Sequence, residues 1–167
     1  MDLFILRHGI AAELGTRRSA RDADRALTPK GKREVRQVAQ AMEALDLSFE
    51  VMLSSPYTRA RQTAEIVAEA LGLEKKLKLT NRLAPGGSAR ELISLLHKFE
   101  PIPERVLLVG HEPYLSQLIS LLISGGPNAS VTLKKAGLCK LSTDSLRFGH
   151  CATLRWLLTP KQMCLLG

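Results

Sequence analysis

Leu3-Phe4-Ile5-Leu6-Arg7-His8-Gly9 begins as an apolar run and ends in a guanidinium, an imidazole and a glycine. Four consecutive apolar residues fit a short strand buried on both faces. A strand that stops on Arg7 and His8 delivers two polar side chains to the edge of a sheet. Gly9 then lets the backbone turn sharply or approach a ligand closely. Imidazole is a nucleophile or proton carrier near neutral pH, and guanidinium grips oxyanions in a fork. Taken alone, the tripeptide is equally a strand ending in soluble residues; the rest of the chain decides between the two.

Outward from this strand, Ala12 to Ala26 is polar, has little periodicity and reads as a long loop. Loops of this length in compact domains are commonly functional. Its arginines, Arg17, Arg18, Arg21 and Arg25, either arch over an anion or keep the loop solvated. Thr28-Pro29 marks a helix start, with Val35, Val38, Ala39, Met42 and Leu45 on one face. Val51 to Leu53 is a second strand, ending at Ser54-Ser55-Pro56. The next helix buries Ala60, Ala64, Val67, Ala68 and Leu71 and stops at Gly72. Leu77 and Leu79 suggest a short third strand. Ser88 and Glu91 stand in capping-box spacing before a helix containing Leu92, Leu95, Leu96 and Phe99. Val106 to Val109 is a buried strand that ends in Gly110-His111-Glu112-Pro113. An apolar helix follows from Tyr114 to Ser124. Gly137 to Ser142 and Thr153 to Leu158 form two strands with no helix between them, so they pair antiparallel. Strands alternating with helices predict a three-layer α/β/α sandwich with a mostly parallel central sheet and an antiparallel edge.

The 167 residues are read as one domain, 1–167, large enough for a substantial core. No stretch is long and apolar enough for a membrane span. Asp2 and Arg7 spoil any signal-peptide pattern, and the three cysteines lack metal-ligand spacing. A cytoplasmic protein with reduced thiols is expected, with no cofactor and no metal. His150-Cys151 offers too few ligands for a metal centre. The net charge of +8 points to nucleic acid, an anionic surface or a phosphorylated substrate. Aromatics are only 4% and none interleaves with the arginines, so stacking on bases is poorly provided for.

Ligands of such sheets bind beyond the carboxyl ends of the strands. Three strand ends carry anion chemistry: Arg7-His8-Gly9, then Ser54-Ser55 with Arg59 a turn later, then Gly110-His111. Arg59 is informative. A cation in the first turn of a helix opposes the helix dipole at a cost of about 0.3–1 kcal/mol, and an anion bound there reverses the sign. Arg7, His8, Arg59 and His111, with the N–H groups of a helix start, make a cage for a phosphoryl dianion. His97 and His150 fall on no strand end and read as structural.

These motifs resemble the histidine phosphatase superfamily, which includes the cofactor-dependent phosphoglycerate mutases. Arg7-His8-Gly9 is similar to its signature, Ser54 to Ala64 to its second motif and Val109 to Glu112 to its third; Leu27 to Gly31 fits the segment between. The short chain and Asp24-Arg25-Ala26-Leu27-Thr28 look most like the SixA-type phosphohistidine phosphatases. The resemblance implies that His8 attacks phosphorus in line and forms a phosphohistidine intermediate. It implies further that Arg7 and Arg59 hold phosphoryl oxygens and that His111 completes the cage. Arg25, Arg21 and Gly9 join them as substrate-binding candidates. Family phosphomonoesterases and mutases have a glutamate proton donor after a mid-chain strand. The corresponding stretch here, Arg82 to Gly87, has no acid, with Glu13 and Glu112 as the remaining candidates. An alkoxide leaving group needs that proton more than the imidazole of a phosphohistidine does. The expectation is therefore a metal-independent phosphatase acting on phosphohistidine in a protein, such as a histidine-containing phosphotransfer domain. It has no nucleic-acid or membrane partner. The alternatives are a phosphatase of small phosphate esters and, from another class, a basic polyanion-binding protein.

Overall fold

The computed structural model describes residues 1–15 and 21–166, so Arg17 and Arg18 lie outside the described residues. Six strands, β1 (Asp2–Arg7), β2 (Val51–Ser54), β3 (Leu77–Leu79), β4 (Arg105–Gly110), β5 (Leu138–Ser142) and β6 (Thr153–Leu158), form one sheet in the order β3-β2-β4-β1-β5-β6. The first four run parallel; β5 pairs antiparallel with β1, and β6 antiparallel with β5.

Side-chain alternation along each strand sorts the sheet into two apolar faces. Leu3, Ile5, Leu53 and Leu108 meet α3 (Ala89–Leu96) and α4 (Tyr114–Ser124) through Leu92, Leu96, Leu115 and Leu118. Phe4, Leu6, Met52 and Leu107 meet α1 (Pro29–Ala44) and α2 (Thr58–Leu71) through Val35, Val38, Met42, Ala64 and Val67. The expected three-layer sandwich is what forms. β3 lies at the sheet edge, where Leu79 is exposed.

The helix starts follow the sequence closely. Thr28 Oγ1 accepts from Gly31 N, and Gly72 closes α2 in the left-handed conformation. At α3 only half of the expected capping box forms. Ser88 Oγ accepts from Glu91 N, while the Glu91 carboxylate turns to Arg82 at 3.8 Å. A fifth helix, α5 (Pro160–Met163), was not expected from periodicity. It is a single turn, capped reciprocally by Thr159 and Gln162, packed against α1 with Met163 buried.

Gly31 fixes the seat of α1. A Cβ there would stand 2.1 Å from the Ile10 carbonyl oxygen, which already accepts from Thr28 N. Backbone cannot swing aside as a side chain can, so Gly31→Ala should destabilise the fold by at least about 2 kcal/mol. The midpoint of urea unfolding reads this, and an unchanged midpoint would mean that α1 is not seated on Ile10.

Candidate active site

Adjacent strands and their register bring the three sequence-distant ends together. β4 lies between β2 and β1, with Arg7 beside Gly110 and Ser54 beside Val109. His8, Ser55 and His111 therefore leave three neighbouring strands at one level. His8 N donates to Gly110 O at 3.1 Å and Ser55 N to Val109 O at 3.0 Å, so pairing continues one residue past the strands. Gly9 is tied across to α2: its N–H donates to Thr63 Oγ1 at 3.1 Å, and that hydroxyl donates to Arg59 O at 2.7 Å.

His8 is buried, and both of its ring nitrogens are engaged. Arg59 Nε has only hydrogen to offer, and it stands 3.2 Å from His8 Nε2. Nε2 therefore carries the lone pair and Nδ1 the proton, which goes to Gly9 O at 2.7 Å. Burial, with His111, Arg59 and Arg7 adding positive charge nearby, pushes the His8 pKa down to about 3, against one opposing hydrogen bond to Gly9. The result is a neutral imidazole with an oriented lone pair, the form a nucleophile needs.

The His111 ring lies 5.0 Å from the His8 ring, centroid to centroid. Its Nε2 is 2.8 Å from Ser55 Oγ, which also accepts from Tyr57 N at 3.2 Å. With the hydroxyl donating to Nε2, the His111 proton sits on Nδ1, a buried nitrogen with no partner within the fold. Burial and the Arg59 cation lower the His111 pKa to about 4. Arg7 shows the same signature. Its NH1 nitrogen donates to Leu133 O at 2.9 Å, and its Nε is buried without a partner. Buried donors are nearly always satisfied in folded proteins, so these two orphans beside His8 call for an acceptor from outside the chain.

Arg59 is 5% exposed although it stands in the first turn of α2. Its two terminal nitrogens donate to Asp22 O at 2.7 Å and Asp22 Oδ2 at 2.9 Å. Asp22 belongs to a short 3₁₀ turn, Asp22–Asp24, within the segment read as a loop. Partial burial would raise its pKa, but hydrogen bonds from Arg25 and Arg59 outweigh that and hold the carboxyl below its usual range. Sequence reasoning missed Asp22 and Thr63 as members of this cluster, and it placed Ser55 at the strand end without its bond to His111. The only hint for Asp22 was an acid embedded among arginines.

The structure brings Arg7, His8, Gly9, Arg59 and His111 together, and leaves two other candidates apart. Arg21 is exposed and pairs with Asp24 at 2.8 Å. Arg25 donates to Ala12 O at 2.7 Å and Asp22 at 2.9 Å, so it props the loop and reaches the cluster only through Asp22. Glu112 is engaged by Ser116, whose hydroxyl donates to it at 2.6 Å. His97 Nε2 meets Leu146 O at 2.9 Å, in a pocket with Met1 and Glu104 at the start of β1 and β4. Among the described residues no group of three or more His, Cys, Asp or Glu could hold a metal, and no helix is long and apolar enough to cross a membrane.

The depressed imidazole pKa values tie this cluster to stability. Between pH 6.5 and about 5 an unfolded histidine gains protons that folded His8 and His111 refuse, while carboxylates stay ionised. Stability present above pH 6.5 should therefore fall as pH drops through that window. Urea midpoints measured across it should slope downward, and His8→Asn should flatten the slope. An equal slope in that variant would contradict a neutral, buried His8.

Residues 3–84 match the family model of the histidine phosphatase superfamily, branch 1. An uncharacterized protein of Picosynechococcus sp. is 39% identical over 95% of this chain and 96% of its own length. The phosphohistidine phosphatase SixA of Escherichia coli is 32% identical over 82% of this chain and 88% of its own. A solved structure of the protein histidine phosphatase SixA complexed with tungstate covers 96% of this chain and 98% of its own, with a TM-score of 0.81 and 28% identity. By sequence and by backbone shape alike, the chain belongs to the histidine phosphatase superfamily, among its SixA-type members.

Proposed function

We propose that this protein is a phosphatase of phosphohistidine borne on another protein, working through a phosphohistidine intermediate on His8 and needing no metal. The observation that carries the reading is that two buried side-chain nitrogens, Arg7 Nε and His111 Nδ1, find no partner within the fold, on the residue before His8 and on the ring 5.0 Å from it. A phosphoryl group seated there would give both donors an acceptor.

Nε2 attacks phosphorus as the P–N bond to the substrate imidazole breaks. As phosphorus approaches, Arg59 Nε gives up its hydrogen bond to Nε2, and the equatorial oxygens rest on Arg7, Arg59 and His111. Water then attacks phosphorus, the bond to Nε2 breaks, and His8 returns to its neutral form with inorganic phosphate released. The Nδ1–H bond to Gly9 holds the ring in line throughout both steps.

The leaving group is argued from acids. The segment expected to carry a proton donor includes the 3₁₀ turn Asn81–Leu83, and Leu83 O lies 3.1 Å from where a Cβ on Gly110 would be. This segment thus borders the end of β4 and brings no carboxyl group. Asp22 is held below the usual carboxylate range by two arginines, and Glu112, beside Glu13 the remaining candidate, accepts from Ser116. A substrate imidazole protonated on its far nitrogen departs neutral and takes no proton from the enzyme, whereas an alkoxide requires one.

Rates of phosphate release should be compared, in chelator, on a histidine-phosphorylated phosphotransfer domain and on a panel of sugar phosphates. A large preference for phosphohistidine is expected. A preference for the esters would assign the site to small-molecule hydrolysis instead.

A further inference from the structure

We propose that a groove beside Arg7, walled by Lys134, Lys135 and Lys161, docks an acidic surface of the protein whose phosphohistidine enters the site. The inference rests on the function proposed above and specifies what the substrate must carry besides its phosphoryl group. The groove encloses about 650 Å³ and shares Arg7 with the phosphoryl cage. It adjoins the cage through that one residue, which directly precedes His8.

Its charge is one-sided. Three lysines and Arg7 face a single acid, Glu34, and none of the three lysines is ion-paired to an acid among the described residues. Lys134, Lys135 and Lys161 are exposed, on a floor that includes Ile10 and Pro160. Cations spread over two elements above an apolar floor suit a broad acidic face better than one compact second phosphate. With a net charge of +8 the whole molecule also attracts an acidic partner before contact.

The lysines are held in place by the catalytic strand itself. Ala136 follows Lys135 with φ of 55°, a conformation sparsely populated by residues with a Cβ, and it is fully buried. Its N–H reaches Arg7 O at 3.0 Å and His8 O at 3.2 Å, while Arg7 N donates to Gly137 O at 3.2 Å and Arg7 NH1 to Leu133 O. The turn bearing Lys134 and Lys135 is thus fastened to the backbone of Arg7 and His8 on both sides. Strain kept in a turn with no packing role for its exposed side chains points to what those side chains meet. On the facing wall, α5 is anchored by its reciprocal cap and by buried Met163, which fixes the position of Lys161.

The test uses Lys134→Ala/Lys135→Ala/Lys161→Ala against two P–N substrates: a negatively charged histidine-phosphorylated phosphotransfer domain, and phosphoramidate. On the protein, kcat/KM should fall about tenfold or more at low salt, chiefly through KM, and the deficit should shrink at high ionic strength. On phosphoramidate the variant should stay within about twofold of the parent, because rim charges act on association and not on the reacting atoms. The corresponding triple Glu variant should lose more on the protein and no more on phosphoramidate. Equal losses on both substrates would assign the lysines to the phosphoryl site, and no loss on the protein would place docking elsewhere; either overturns the proposal. Failure of the parent enzyme itself on both P–N substrates would instead overturn the proposed function.

Discussion

Replacing His8 with alanine should lower phosphate release from phosphohistidine by at least about 10⁴-fold, because loss of a nucleophile removes the covalent route entirely. Arg59 and His111 would still bind a phosphoryl group in that variant, so KM or phosphate affinity should change far less than kcat. This split separates a chemical role from a binding one. Steady-state rates on a phosphorylated phosphotransfer domain measure it, with the circular dichroism spectrum as the check on folding. Turnover near the parent's would remove His8 from the chemistry, however well the site binds anions.

Arg59→Ala is expected to cost about 10²–10³ in kcat, the range seen when one preorganised oxyanion donor is lost. Arg59→Lys should recover little of it. A lysine ammonium is a point charge and cannot reproduce the planar fork that meets His8 Nε2 with one nitrogen and Asp22 with the other two. The position also explains why a cation stands in the first turn of α2 against the helix dipole. Its guanidinium is directed to a neutral imidazole and a carboxylate, and buried there beside the Tyr57 ring at 5.4 Å. Initial rates of both variants at saturating substrate check the pair. A lysine variant with full activity would reduce Arg59 to a general positive charge.

Most of this fold was legible because its elements bury strong periodic patterns. β1 and β4 are continuous apolar runs, α1 and α2 carry single apolar faces with a Thr28 cap and a Gly72 stop, and each was read close to its observed span. The single turn of α5 was not legible by periodicity, since four residues make no face. Its signal was chemical: Pro160 in the first turn and Gln162 three residues after the Thr159 cap. At the site, the residues were legible and their pairings were not. That His8, Arg59 and His111 share one rim was expected; that β4 lies between β2 and β1 and so sets the two rings side by side is a long-range order no local stretch encodes. The partner of His8 Nδ1 is a main-chain carbonyl, which every residue possesses and none advertises. Asp22 meets Arg59 across 37 residues of sequence, and its own loop gave no sign of the 3₁₀ turn that aims it. Arg25 and, after it, Arg21 were read as loop cations within reach of the phosphate. Only the fold distinguishes the exposed one from the one that braces Asp22.

The most direct measurement is ³¹P NMR of the enzyme quenched in alkali during turnover of a phosphohistidine protein, followed by peptide mapping. The expected product is a phosphoryl group on His8, attached through Nε2, because Nδ1 is committed to the Gly9 carbonyl. Phosphate on His8 Nδ1, on His111, or on no residue at all while turnover proceeds would contradict it.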